Sequence, residues 1–353
     1  MKTISIYFVI LFFCFSSCVK NNISENKNSD NVSKEELVSR MQTSQEYSVP
    51  VKEGYITQVI YNGEVIATAV EKMTILLPIT ASITKTVDDL TLVYIPKAEY
   101  PNILENDASI FQVVCFEDSK EADYDYNDLV IHVYYRTKGD IFAFGVQPIA
   151  LGSTKSIKLG CVVYKGNTQV YKGLITQGDN DCRKQYFEGK EGLLNTFTAN
   201  FFPKNSPTAG WHQYLGSTIK NWDMSKIAGT GANRVEWYIL VGNEELYALS
   251  TSYIDQSINT EKMPYGLVFT NIGASYSDGT SIVGHDWFNY PKETCHIKDV
   301  YPQLWEWMIK GNSYNFSDIY DQNNIPANAF DAAGYNLYQA SSINICDEKY
   351  RQN

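Results

Sequence analysis

Histidine is nearly missing from this chain: there are 4 in 353 residues. That leaves little room for a multi-histidine metal centre. Basic charge is also short. Lys and Arg number 29 against 40 Asp and Glu, a formal charge of -11. Such a balance argues against nucleic acid as a partner, because phosphate binding needs a basic face. Cysteine occurs 7 times but never as Cys-x-x-Cys, so neither a zinc ribbon nor a thioredoxin-type site is expected. The sequence holds no Gly-x-Ser-x-Gly elbow, no His-Glu-x-x-His and no phosphate-binding glycine loop. Apolar runs of near-spanning length are confined to the N-terminus.

What is present points to a well-cored β protein. Apolar residues make up 44% and charged residues 20%, which argues for folding rather than disorder. The excess is aromatic, with 26 Tyr, 16 Phe and 6 Trp. Such residues suit half-buried pleated surfaces.

The N-terminus reads as an address. Lys2 precedes a mostly apolar run at residues 4–15, too short to stay in a bilayer as a spanning helix. Phe15-Ser16-Ser17-Cys18 follows and looks like a loose bacterial lipobox of the Bacteroidetes kind. The expectation is a signal peptide over 1–17, cleaved before Cys18 and acylated on its sulfur. The plainer alternative is an ordinary signal with an incidental cysteine. The lipid would be the membrane anchor, and the Asn/Ser/Lys-rich stretch after it a flexible tether. The expected location is the outer membrane. No acid follows Cys18 until Glu25, so both the periplasmic and the surface face stay open. The remaining cysteines are 115, 161, 182, 295 and 346, an odd set. Cys115 and Cys161 sit in or beside apolar runs and are expected in the core.

Ser33-Lys-Glu-Glu36 fits a capping box ahead of a short helix carrying Leu37, Val38 and Met41. Residues 55–70 read as a hairpin turning at Asn62-Gly63, which supplies the positive φ angles of a tight turn. Further strand-like runs lie at 74–78, 90–95, 110–116, 129–135, 141–146, 157–164, 170–175, 235–241 and 267–269. Short strands with frequent turn signals predict an antiparallel β-sandwich, jelly-roll-like, with a few short helices. The expected division is tether and short helix over 18–48, a hairpin region over 49–105 and the sandwich over 106–345. Late in the chain, Asp299 is expected to cap a helix with Pro302 in its first turn, Leu304, Trp305 and Met308 on one face, and Gly311 as its stop. Trp305 and Trp307, two apart, cannot both face the core squarely.

The chemistry concentrates between two strand-like runs. Glu117, Asp118, Glu121, Asp123, Asp125 and Asp128 crowd a short stretch, and Asn127 adds an amide oxygen. Like charges this close raise one another's pKa. A hard cation relieves that. Calcium takes six to eight oxygens in irregular geometry, whereas magnesium prefers few carboxylates and a rigid octahedron. Asp123, Asp125 and Asn127 alternate as in the start of an EF-hand, but Asp128 stands where glycine is needed and Tyr134 where a bidentate Glu is needed. The expectation is a calcium loop held by Glu117, Asp118, Asp123, Asp125, Asn127 and Asp128, with Tyr124 and Tyr126 as candidate ligand contacts. The alternative is a solvated acidic turn, for which Asp and Asn are common residues.

Phe116-Glu117-Asp118, a spacer, and Asp123-Tyr-Asp125-Tyr-Asn127-Asp128-Leu129-Val130 resemble the opening signature of the LruC-type domain of bacterial lipoproteins. Phe288-Asn-Tyr290-Pro291-Lys-Glu293, Ile297 and Val300-Tyr301-Pro302-Gln-Leu-Trp305-Glu-Trp307 resemble its closing motif. The spacer 119–122 lacks the expected glycine, and Cys295-His296 is a departure. The resemblance implies a β-rich extracytoplasmic lipoprotein with a calcium loop and no established catalysis. Gly178-Asp179-Asn180-Asp181 reads as a plain acidic loop, and His285-Asp286-Trp287 as a loop before the closing motif. The functional expectation is a lipid-anchored, non-enzymatic protein of adhesion, contacting a glycan or a surface protein. A carboxylate-based polysaccharide-processing enzyme and a structural subunit of a surface appendage are the alternatives.

Overall fold

The computed structural model describes residues 32–61, 64–78, 90–187, 189–195, 226–271, 288, 290–291 and 295–310. The signal peptide, Cys18, the tether up to residue 31, Asn62-Gly63, His285-Asp286-Trp287, Gly311 and Cys346 lie outside the described residues.

Within the described residues, each run expected as a strand forms one. In chain order these are β1 (Ser44–Val49), β2 (Tyr55–Tyr61), β3 (Glu64–Ala69), β4 (Met73–Pro78), β5 (Leu90–Pro96), β6 (Asp107–Phe116) and β7 (Leu129–Lys138). Then come β8 (Ile141–Leu151), β9 (Ile157–Lys165), β10 (Thr168–Leu174), β11 (Leu194–Asn195), β12 (Arg234–Val241), β13 (Glu244–Tyr247) and β14 (Gly266–Asn271). The eight-stranded sheet runs β11-β8-β7-β6-β3-β2-β5, with β14 also paired to β6. A four-stranded sheet runs β10-β9-β12-β13, and β1 and β4 form a separate ribbon. Every pairing is antiparallel. The hairpin strands β2 and β3 therefore share a sheet with β6.

The two larger sheets form the sandwich. Trp237 of β12 presents its ring edge to Phe144 of β8, with centroids 5.4 Å apart, and its indole N–H donates to the Tyr135 hydroxyl of β7 at 2.5 Å. A buried Trp is stable in such a place because its one polar atom is partnered. Residues on β9 are buried on both faces, which is why this strand reads as an unbroken apolar run rather than an alternating one. On one face its Val162 and Tyr164 cluster with Tyr238 and Tyr247, and Tyr253 stacks on Tyr247 at 4.3 Å. The β1–β4 ribbon packs on β2 and β3 through Val49, Ile75 and Leu77. Cys115, Cys161 and Cys182 are buried and Cys295 is partly so; all four carry free thiols.

The helices are short: α1 (Lys34–Arg40), α2 (Cys182–Tyr186), α3 (Ile297–Val300) and α4 (Pro302–Lys310). Half of the expected capping box forms. Ser33 Oγ accepts from the Glu36 amide, but Glu36 turns forward to Arg40 instead of back to the cap. Asp181 closes the acidic loop at 178–181 by capping α2, accepting from the Lys184 amide at 2.8 Å. The expected cap at Asp299 is a correction: Asp299 lies inside α3, and His296 caps it. Tyr301 then breaks the path, as a residue preceding proline is pushed out of the helical region. The two tryptophans divide, as their spacing requires. Trp307 is buried with Leu304 and Met308, while Trp305 is half-buried.

Candidate metal centre

β6 and β7 pair down to Phe116↔Leu129, so residues 117–128 form the loop between them. Its base is closed by the Asp118 amide donating to Asp128 Oδ2 at 2.8 Å. Its tip is unusual. Tyr124 and Tyr126 both adopt left-handed backbone, with φ of 57° and 54°. Non-glycine residues there cost on the order of 1 kcal/mol each and need surrounding structure to hold them. That support is visible. The Tyr126 amide donates to Glu117 Oε1 at 2.5 Å, and its hydroxyl donates to the Pro264 carbonyl at 3.0 Å. The Tyr124 hydroxyl donates to Glu261 Oε2 at 2.8 Å and accepts from Asn259 Nδ2 at 3.1 Å. The Tyr124 carbonyl accepts from the Ile297 amide at 2.8 Å.

These two turns gather three carboxylates. Glu117, Asp123 and Asp125 each offer an oxygen, and the three lie within 4.8 Å of one another. Glu117 and Asp125 are buried, while Asp123 is exposed. Burial pushes the Glu117 carboxyl well above its ordinary pKa, and the charges of Asp128, Asp125 and Asp123 push it further. Burial also raises Asp128 to about 7, with Asp118, Asp125 and Asp123 adding to the shift. Glu117 Oε2 and Asn127 Oδ1 are buried and accept no hydrogen bond. Leaving such oxygens unpartnered costs about 1–3 kcal/mol each, more for a charged one.

The six expected ligands therefore divide. Glu117, Asp123 and Asp125 come together, and Asn127 sits beside them, its amide donating to Asp125 Oδ1 at 3.3 Å. Asp118 is drawn to one side of that group. It is neutralised by Lys155 Nζ at 2.6 Å and accepts from the Ser153 hydroxyl. Asp128 spends an oxygen on the base of the loop. Sequence reasoning missed Lys155 and Ser153, and no local signal marks them, since they arrive from the β8–β9 connection. Of the two expected contact tyrosines, Tyr126 has a fully buried ring. Tyr124 is half-buried, with the Trp305 and His296 rings at 5.8 and 5.6 Å.

The donor set consists of hard oxygens, with three carboxylates and one amide oxygen. That suits calcium, and fits zinc or copper poorly, since they favour imidazole and thiolate. The exposed Asp123 leaves one side of the group open to water, which can complete a coordination shell.

No family model and no curated protein matches this chain. One solved structure aligns with it: a Bacteroides ovatus protein provisionally described as a lipoprotein. The identity is 13%, the TM-score is 0.33, and the alignment covers 81% of this chain and 92% of that one.

Proposed function

We propose that this chain is a lipid-anchored, extracytoplasmic β-sandwich protein. On this reading the β6–β7 loop binds calcium, and the protein acts by adhesive contact with a surface ligand, a glycan foremost, rather than by catalysis. The observation that carries the ion is the pair of buried, unpartnered oxygens, Glu117 Oε2 and Asn127 Oδ1, at a cluster of three carboxylates. Glu117, Asp123, Asp125 and Asn127 would hold it. Bound there, a divalent cation would offset the burial and the repulsion that together drive Glu117 towards its protonated form.

The role is structural. Asn127 Nδ2 donates to the Pro291 carbonyl at 3.2 Å, and the Tyr124 carbonyl receives the Ile297 amide. An ordered loop therefore fastens the closing segment to the sandwich. The anchor rests on Lys2, the apolar run at 4–15 and Ser16-Ser17-Cys18.

Calorimetric titration of calcium into the chelator-stripped chain tests the ion. We expect saturable binding, weakened about tenfold or more by Glu117→Gln and nearly unchanged by Asp118→Asn, whose carboxylate is already matched by Lys155. Absence of binding, or equal losses in both variants, rejects the site. Cys18→Ser should move the protein from the membrane to the soluble fraction of cells.

A further inference from the structure

The large sheet carries two covers. The four-stranded sheet lies over β7 and β8, and the β1–β4 ribbon lies over β2 and β3. In the seam between them is a cavity of about 200 Å³ that neither the ion nor the anchor uses. We propose that this seam binds a single sugar unit of a neutral glycan. The proposal rests on the reading of the protein as a glycan-contacting module, but not on the calcium ion.

The floor is aromatic. Phe142 and Tyr135 lie nearly parallel, at 16° with centroids 6.2 Å apart. Tyr135 is buried, so Phe142 supplies the accessible ring. Carboxamides stand around that floor. Gln112 is anchored by donating to Thr270 Oγ1 at 3.1 Å, and Asn233 accepts from the Gly166 amide at 2.9 Å. Asn167, at the exposed β9–β10 turn, completes the set. Apolar ring below and fixed donors and acceptors around the edge match a pyranose, which has C–H faces and hydroxyls at its rim.

The charges narrow the class. Arg234 also lines the cavity, but its guanidinium is matched by Glu236 and lies 4.1 Å over the Tyr164 ring. The rim carries an exposed carboxylate, Glu46. An anionic ligand would meet Glu46 and find Arg234 already paired. An acyl chain would bury the carboxamides without replacing their hydrogen bonds. Pockets for drug-sized ligands run to about 300–1,000 Å³, so the seam holds one ring rather than a long chain.

The test is titration of the full chain, followed by NMR and calorimetry, with glucose, galactose, mannose, N-acetylglucosamine and their β-linked disaccharides. We expect at least one to saturate, with Phe142→Ala and Asn167→Ala each weakening it about tenfold or more while chelator leaves it unchanged. Asn167 is exposed, so its replacement does not threaten the fold. If none of these sugars binds, or if binding survives both substitutions, or if a fatty acid displaces the sugar from this seam, the proposal is overturned. Sugar binding without calcium binding rejects the ion alone; calcium binding without sugar binding rejects the seam alone.

Discussion

Glu117 is buried, charged at neutral pH in an ordinary setting, and surrounded by other acids. The metal-free loop relieves this by taking up protons, and calcium would relieve it by displacing them. Metal binding to such groups releases protons. Asp128, at about 7 without metal, is largely protonated at about pH 6 and largely ionised at about pH 8. Calcium binding should therefore release more protons at the lower pH, and Asp128→Asn should diminish that release. Calorimetry in buffers of different ionisation enthalpy reads it directly. A pH series of melting points would not isolate the effect. The raised Asp128 favours folding below the ordinary carboxylate range, and that contribution is lost as pH rises through about 7. His132, buried and lowered to about 3, acts in the opposite sense: its contribution is present above the ordinary histidine value and is lost as pH falls. The two oppose each other across the same window, whereas proton release on calcium addition sets His132 aside. The acidic run itself was legible in the sequence. Its division was not, because only the chain's return at Ser153 and Lys155 decides that Asp118 is already neutralised.

At the level of elements, the sequence is read most easily where apolar residues run on. The runs at 110–116, 129–135 and 157–164 became β6, β7 and β9, each extending a residue or more beyond the run. β1 and β13 escaped notice because Ser44–Val49 and Glu244–Tyr247 carry polar residues at alternating or leading positions. Both depend on a partner strand rather than on their own composition. The tryptophan pair was legible in part: spacing says that Trp305 and Trp307 cannot both face the core, and only packing decides that Trp307 is the buried one and Trp305 the half-buried one. One packing detail no pattern could supply is Gly160 in β9. A Cβ there would lie 2.2 Å from Tyr238 Cζ, so the tyrosine ring lies directly over the glycine. Gly160→Ala should destabilise by about 1–3 kcal/mol through overpacking. Tyr238→Leu should recover part of that loss in the double variant, and a denaturant double-mutant cycle would show the coupling. Additive losses would mean that the sheet yields elsewhere.

On the scale of the whole molecule, the loop at 117–128 joins parts of the chain that are far apart in sequence. It meets the β8–β9 connection through Gly152, Ser153 and Lys155, and the Asn259–Pro264 turn through Tyr124 and Tyr126. It meets the closing segment through Pro291 and Ile297. That segment is held a second time where Phe288 stacks on Phe269 of β14 at 3.8 Å. An ion at the loop would therefore act on the cooperative unit rather than on a local turn. A ligand that binds only the folded state at a hundredfold excess over its Kd adds about 2.7 kcal/mol. At up to about 2–4 °C per kcal/mol, the range for domains of about 150–250 residues, the melting temperature of this larger unit should rise by several degrees, up to about 10 °C, on passing from chelator to calcium. Glu117→Gln should lose most of that rise, yet melt in chelator no lower than the parent, since the uncharged amide replaces a carboxyl that the metal-free loop already pushes towards its protonated form. If the ion only ordered the loop tip, the main melting transition would stay fixed while proteolysis near residues 117–128 slowed. A shift of the main transition shared by intrinsic fluorescence and far-ultraviolet circular dichroism would instead tie the ion to the whole sandwich.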